Sequence, residues 1–129
     1  MPRDEQRYQA GLAARREVLG DEYVDRSLSG ADEFTDELQD YLNESCWGFA
    51  WTRPGLERKV RSLVTIAVLA ATNKSQELKT HTLGALRNGC TPEEIKEVFL
   101  HLAIYAGVPT AVDAFRIAQP VVAEWRGRG

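Results

Sequence analysis

The apolar positions of this chain recur at helical spacing, and nowhere is a strand-like alternation of apolar and polar residues sustained. Over residues 4–18, Tyr8, Leu12, Arg15 and Leu19 fall along one side of a helix that Gly20 stops. A short helix or turn follows over residues 23–28, and Ser29-Gly30-Ala31-Asp32 breaks the chain. Asp32 is placed to cap the next helix, whose apolar stripe is Phe34, Leu38, Tyr41, Leu42 and Ser45. That helix is predicted to fray at Trp47-Gly48 into an aromatic-rich connection over residues 47–55.

The second half is more strongly patterned. Over residues 56–72, Val60, Leu63, Val64, Ala67, Val68 and Ala71 keep helical spacing, and beyond Ile66 the helix is apolar almost all round. This predicts a central buried helix, covered in part by other subunits. Asn73-Lys74-Ser75 interrupts it, and Ser75 is the expected N-cap of a helix over residues 76–87. Asn88-Gly89 ends that helix, with glycine in the left-handed conformation. Thr91-Pro92-Glu93-Glu94 then predicts a capping box: Thr91 at the N-cap, Pro92 at the first helical position and Glu94 two further on. The core stripe of this helix is Ile95, Val98, Phe99, Leu102 and Ala106. Gly107-Val108-Pro109 closes it, and a last helix spans residues 110–125, with Pro120 expected to kink or break it. The pattern predicts an all-α subunit of about six helices, a single domain over residues 1–129.

Composition narrows the function. The net charge is −3 and no basic block appears, which argues against nucleic acid as a partner. The longest apolar run, residues 66–71, is far short of the roughly 20 residues of a membrane span. Residues 1–16 are dense in charge, unlike a secretory leader, so a cytoplasmic location is expected, with Cys46 and Cys90 as reduced thiols. The sequence holds no Cys-x-x-Cys, no glycine-rich phosphate loop and no serine-nucleophile motif. The two histidines are not spaced as ligands on one helix, so no metal is expected.

Proton-transfer chemistry therefore centres on His81. Glu77 lies four residues before it, on the same helical face, where a carboxylate can orient the ring and raise its pKa, keeping a proton available near neutral pH. A surface histidine beside an ordinary acidic neighbour would show the same spacing. His101, between Leu100 and Leu102, reads as a core or interface residue. Trp47 and Trp51, four apart, serve either packing or the wall of a pocket. Arg53, Arg58, Lys59 and Arg61 form either a solvated face or, turned to a pocket, a site for an anion. Glu93 and Glu94 are accounted for by capping and the helix dipole.

Several motifs, in order along the chain, resemble the carboxymuconolactone decarboxylase family. They are Gly11 with Arg16-x-Val18-Leu19-Gly20-x-x-Tyr23-Val24; Trp47-Gly48-x-x-Trp51-x-Arg53-x-Gly55-Leu56; and Arg61-Ser62-Leu63. Glu77-Leu78-x-x-His81-x-x-Gly84-Ala85-Leu86-x-Asn88-Gly89 and Tyr105-Ala106-Gly107-x-Pro109 complete the set. The resemblance implies an alkylhydroperoxidase-D-like helical subunit assembled as a homotrimer or homohexamer, with no cofactor. It implies decarboxylation of 4-carboxymuconolactone to 3-oxoadipate enol-lactone in protocatechuate breakdown, with a small anionic lactone as substrate. It further implies His81 as general acid with Glu77 orienting it. Arg58 and Ser62, four apart, would lie in the pocket with Arg58 on a substrate carboxylate, Lys74 as a second cation, and Trp47 and Trp51 as walls. The alkylhydroperoxidase-D-like sister group uses a glutamate, two cysteines and a histidine. With its histidine on His81, these fall on Ser62, Lys74 and Glu77, so the thiolate chemistry is lost at this place.

Overall fold

The computed structural model describes residues 2–128, and every regular element among them is helical. The elements are α1 (Glu5–Leu19), α2 (Asp21–Ser29), α3 (Asp36–Tyr41), a π-helical segment (Leu42–Ala50), α4 (Arg58–Ala71), α5 (Ser75–Arg87), α6 (Pro92–Ala106) and α7 (Val108–Gly127). They form two compact units, one ending at Leu56 and the other beginning at Glu57.

In the first unit, Asp4 caps α1 by accepting the Arg7 amide at 3.0 Å, and Gly20, at φ +89°, turns the chain into α2. The partner of α1 is the π-helical segment, and the two backbones lie almost in contact. A Cβ built on Gly11 would sit 1.8 Å from the Asn43 carbonyl oxygen, and one on Gly48 would sit 2.6 Å from that of Arg7. Gly48 is not the point where the helix frays. Its missing side chain instead lets the helix pass close to α1, so helical structure runs on to Ala50 in the wider π register. Asn43 and Trp47 thereby both point inward, and Trp47 stacks on Trp51 with ring centroids 4.8 Å apart. These rings join Ala14, Val18, Leu19 and Val24 as the core of the unit. Of the expected stripe, Phe34, Leu38 and Tyr41 are exposed, whereas Leu42 packs against the core. Asp32 caps a tight turn ahead of α3, accepting the amides of Phe34 and Thr35, rather than α3 itself.

In the second unit, the turn between α4 and α5 is only three residues long, so the two helices form an antiparallel hairpin. Asn73 takes the left-handed conformation there, at φ +61°. Ser75 is the first residue of α5 and Lys74 occupies the N-cap without a side-chain hydrogen bond, against the expectation that Ser75 would cap it. The Thr91 capping box forms as predicted, with Thr91 Oγ1 accepting the Glu94 amide at 3.1 Å and Glu94 accepting the Thr91 amide at 2.9 Å. Ile66, Leu78, Ala85, Ile95, Phe99, Leu102 and Ala114 make the core. The helix α4 buries a single face, Ser62, Ile66 and Ala70, while Val60, Val64 and Val68 stay exposed in this chain. The last helix runs unbroken from Val108 through Pro120. Ala111, Ala114 and Ala118 before the proline and Val121 after it pack on one core, which offsets the missing hydrogen bond.

Replacing Gly11 with Ala should lower the unfolding free energy by about 3 kcal/mol, because overpacking there meets rigid backbone rather than a flexible side chain. Gly55→Ala, where an added Cβ meets nothing within 4 Å, should leave urea unfolding unchanged.

Candidate active site

The α4–α5 hairpin carries five of the seven residues singled out in the sequence. Arg58 and Ser62 lie one turn apart on α4, Lys74 lies in the exposed turn, and Glu77 and His81 lie one turn apart on α5. Trp47 and Trp51 belong to the first unit, where both are buried in its core.

His81 is half-buried on the flank of the stripe Leu78, Thr82 and Ala85, and its Nδ1 atom is closed off from solvent. Burial pushes the imidazole pKa down to about 4, and the attraction of Glu77 only partly opposes this. The expectation that Glu77 keeps the ring protonated near neutral pH is therefore overturned. An exposed carboxylate acts through solvent, whereas desolvation acts on the ring itself. In the free chain at pH 7 the imidazole is therefore neutral, and the same burial makes it a weak base there.

Ser62 is 1% exposed, and its Oγ accepts a hydrogen bond from Asn88 Nδ2 at 2.9 Å. The same end of α5 is tied to α4 a second time by the Cys90 thiol, which donates to the Lys59 carbonyl oxygen at 3.4 Å. Sequence reasoning missed the role of Asn88, which it took only as the end of a helix. Its signal was its place seven residues after His81, on the same side of α5.

The remaining candidates resolve simply. His101 is exposed and tilted against Tyr105, not in the core. It lines an open groove of about 850 Å³ between α4 and α6, together with Leu63, Val64, Ala67, Val98 and Glu97; none of the predicted site residues lines this groove. Glu94, besides capping, pairs with Lys59 at 2.9 Å. Neither thiol is activated: burial pushes Cys90 up to about 11, and Cys46, though exposed as a residue, is raised as well by partial desolvation of its thiol. Among the described residues, no three His, Cys, Asp or Glu side chains converge as a metal site, and no helix is long and apolar enough to cross a membrane.

The hairpin thus carries a desolvated histidine on α5 and, on α4, a buried hydroxyl and an arginine. Residues 36–120 match the carboxymuconolactone decarboxylase family, and the chain belongs to that family. It is 46% identical over 118 residues to 4-carboxymuconolactone decarboxylase of Acinetobacter baylyi, covering 92% of this chain and 88% of that protein. It is 39% identical over 122 residues to a nitrosuccinic acid decarboxylase of Metarhizium robertsii, covering 95% of this chain and 85% of that one. A shorter match, 42% over 45 residues, links it to 4-carboxymuconolactone decarboxylase of Pseudomonas putida, covering 35% of this chain and 94% of that sequence.

The His81 ring should titrate by NMR with a midpoint near 4 rather than 6.5, and Glu77→Gln should lower it further. A midpoint at or above 6.5 would show that burial does not dominate. The sign for stability follows. The unfolded chain binds this proton near pH 6.5 and the folded chain only near 4, so stability present at neutral pH is lost as pH falls between those values. Replacing His81 with Gln should flatten acid unfolding within that window.

Proposed function

We propose that this protein decarboxylates 4-carboxymuconolactone to 3-oxoadipate enol-lactone in the breakdown of protocatechuate, without a cofactor. The observation that carries the reading is the desolvated His81 one turn from Glu77, in a chain so similar over its length to a decarboxylase of that name. The leaving carboxylate of this substrate is conjugated through the ring double bond to the lactone carbonyl. When its carbon–carbon bond breaks, CO2 departs and the electron pair enters the ring to give a dienolate. A proton delivered to the ring carbon then completes the product, so one proton is consumed for each CO2 released.

His81 delivers that proton. It is neutral in the free chain, and an entering dianion supplies the negative charge that draws a proton onto it. Substrate binding and proton uptake are thus coupled, and the acid is charged only when there is a carbanion to quench. Glu77 favours the charged ring in the same sense. Arg58 holds a substrate carboxylate, Ser62 lies beside it, and Lys74 is a second cation. The protein works in the cytoplasm as a homotrimer or homohexamer. Exposed apolar residues on α4 and α6 (Val60, Val64, Val68, Leu100, Ile104 and Tyr105) support an assembly in which another copy covers them.

Incubation with freshly generated carboxymuconolactone should give CO2 and the ultraviolet change of the enol-lactone, with nitrosuccinic acid as the comparison substrate. His81→Gln should lower kcat by about 10²–10⁴ with folding intact; activity within a few-fold of the parent would remove His81 as the acid. Arg58→Ala should raise KM without changing the oligomer measured by light scattering. Alkylating Cys46 should leave turnover unchanged, whereas a thiol-dependent peroxidase would be inactivated.

A further inference from the structure

Two grooves flank α6, both within the second unit, and they differ in charge and in depth. The groove shared with α4 is lined by Glu93, Glu94 and Glu97, and its apolar residues Val64 and Leu100 stand out at 50% exposure each. The groove shared with α7 holds about 440 Å³, within the range of small-molecule pockets. Its apolar floor is sunken: Ile95, Phe99 and Ala118 line it and all three are buried. Phe99 and Phe115 meet there edge to face, with centroids 5.4 Å apart. Beyond this ring pair the α7 wall is built from the small residues Ala118 and Ala123, which leave the room. A protruding apolar face suits another chain, whereas a recessed apolar floor suits a small molecule.

No carboxylate lines the α6–α7 groove among the described residues; its charged groups are Lys96 and Arg126. Arg126 is taken by Glu93, at 2.9 Å, and the pair joins α7 to α6. Lys96 and, on the other wall, Gln119 are exposed and have no partner among the described residues. The groove thus offers an ammonium and an amide, both free to donate, above a floor that includes two aromatic rings.

We infer that the α6–α7 groove binds a small aromatic carboxylate, its ring on the Phe99–Phe115 floor and its carboxylate on Lys96 and Gln119. An inorganic anion would leave the floor unfilled, and an amine would meet the Lys96 charge. None of Arg58, Ser62, Lys74, Glu77 and His81 lines the groove, so the inference stands apart from the proposed reaction.

The test is methyl NMR of the full chain, labelled at isoleucine and valine and titrated with benzoate, benzylamine and octanoate. Benzoate should move the methyls of Ile95 and Val122, which line the groove, and leave those of Val18 and Val24 in the first unit in place. It should saturate with a Kd of about 1 mM or tighter. Benzylamine, with the same ring and the opposite charge, should bind at least about tenfold more weakly, and octanoate more weakly than benzoate. Lys96→Gln should weaken benzoate about fivefold, the size of one exposed ion pair, with the melting temperature unchanged. His81→Gln should leave the benzoate titration of the Ile95 and Val122 methyls as it is. Unmoved methyls at about 20 mM benzoate would overturn the inference. So would an equal response to benzylamine, tighter binding of octanoate, or an unaltered Kd in Lys96→Gln. Loss of the benzoate response in His81→Gln would place the ligand at the other site and overturn it as well.

Discussion

Desolvation of one imidazole decides the protonation state of His81. His81 lies against the packed stripe of α5, and the cost of charging it there outweighs the attraction of Glu77 one turn away. The two effects differ in kind. The carboxylate sits in solvent, where the dielectric weakens its reach, while the ring loses its own hydration. In the proposed reaction a group held neutral in this way gains its proton only when an anion arrives to raise its pKa. A cofactor-free decarboxylase needs such an acid, since the carbanion must form before it is protonated.

That environment depends on how closely α4 and α5 approach. Gly84, Ala85 and Ala70 are small, and Ile66 and Leu78 fill what remains. The three-residue turn fixes one end of the hairpin, and the Asn88 and Cys90 side chains fix the other. The hairpin is therefore tied at both ends, and helical elements hold side chains more accurately than loops do. The first unit uses the opposite device. Two glycines bring backbones together with no side chain between them, and the π register lets Asn43 and Trp47 turn inward. Buried Arg15 donates there to the side-chain oxygens of Gln39 and Asn43 at 2.9 and 3.0 Å, so amides rather than carboxylates satisfy the guanidinium, and burial lowers its pKa.

The chemistry of the thiols fits the same account. In the sister group the chemistry belongs to cysteines, and here those positions hold Lys74 and Glu77. The two cysteines that remain lie elsewhere with raised pKa values, Cys90 buried with its proton on the Lys59 carbonyl and Cys46 exposed. The family resemblance and the environment of each thiol thus point the same way, toward acid–base rather than redox work.

The sequence by itself determined the helical class, the capping box at Thr91, the stop at Asn88-Gly89 and the Glu77–His81 pair. All of these rest on interactions within a few residues, so local spacing suffices to read them. It places a helix end at Gly48 and a cap at Ser75, a kink or break at Pro120 and an apolar stripe on Phe34, Leu38 and Tyr41, whereas helix runs on through Gly48 and Pro120, Lys74 holds the N-cap and those three side chains are exposed. At Gly48 and Pro120 the outcome turned on what a distant segment does: α1 approaching Gly48, and the core gripping α7 on both sides of its proline. Only the tertiary structure decided that His81 is neutral and that Asn88 holds Ser62. A pKa depends on every atom that displaces water from the ring, and a hydrogen bond between residues 26 apart leaves no periodic trace in the chain.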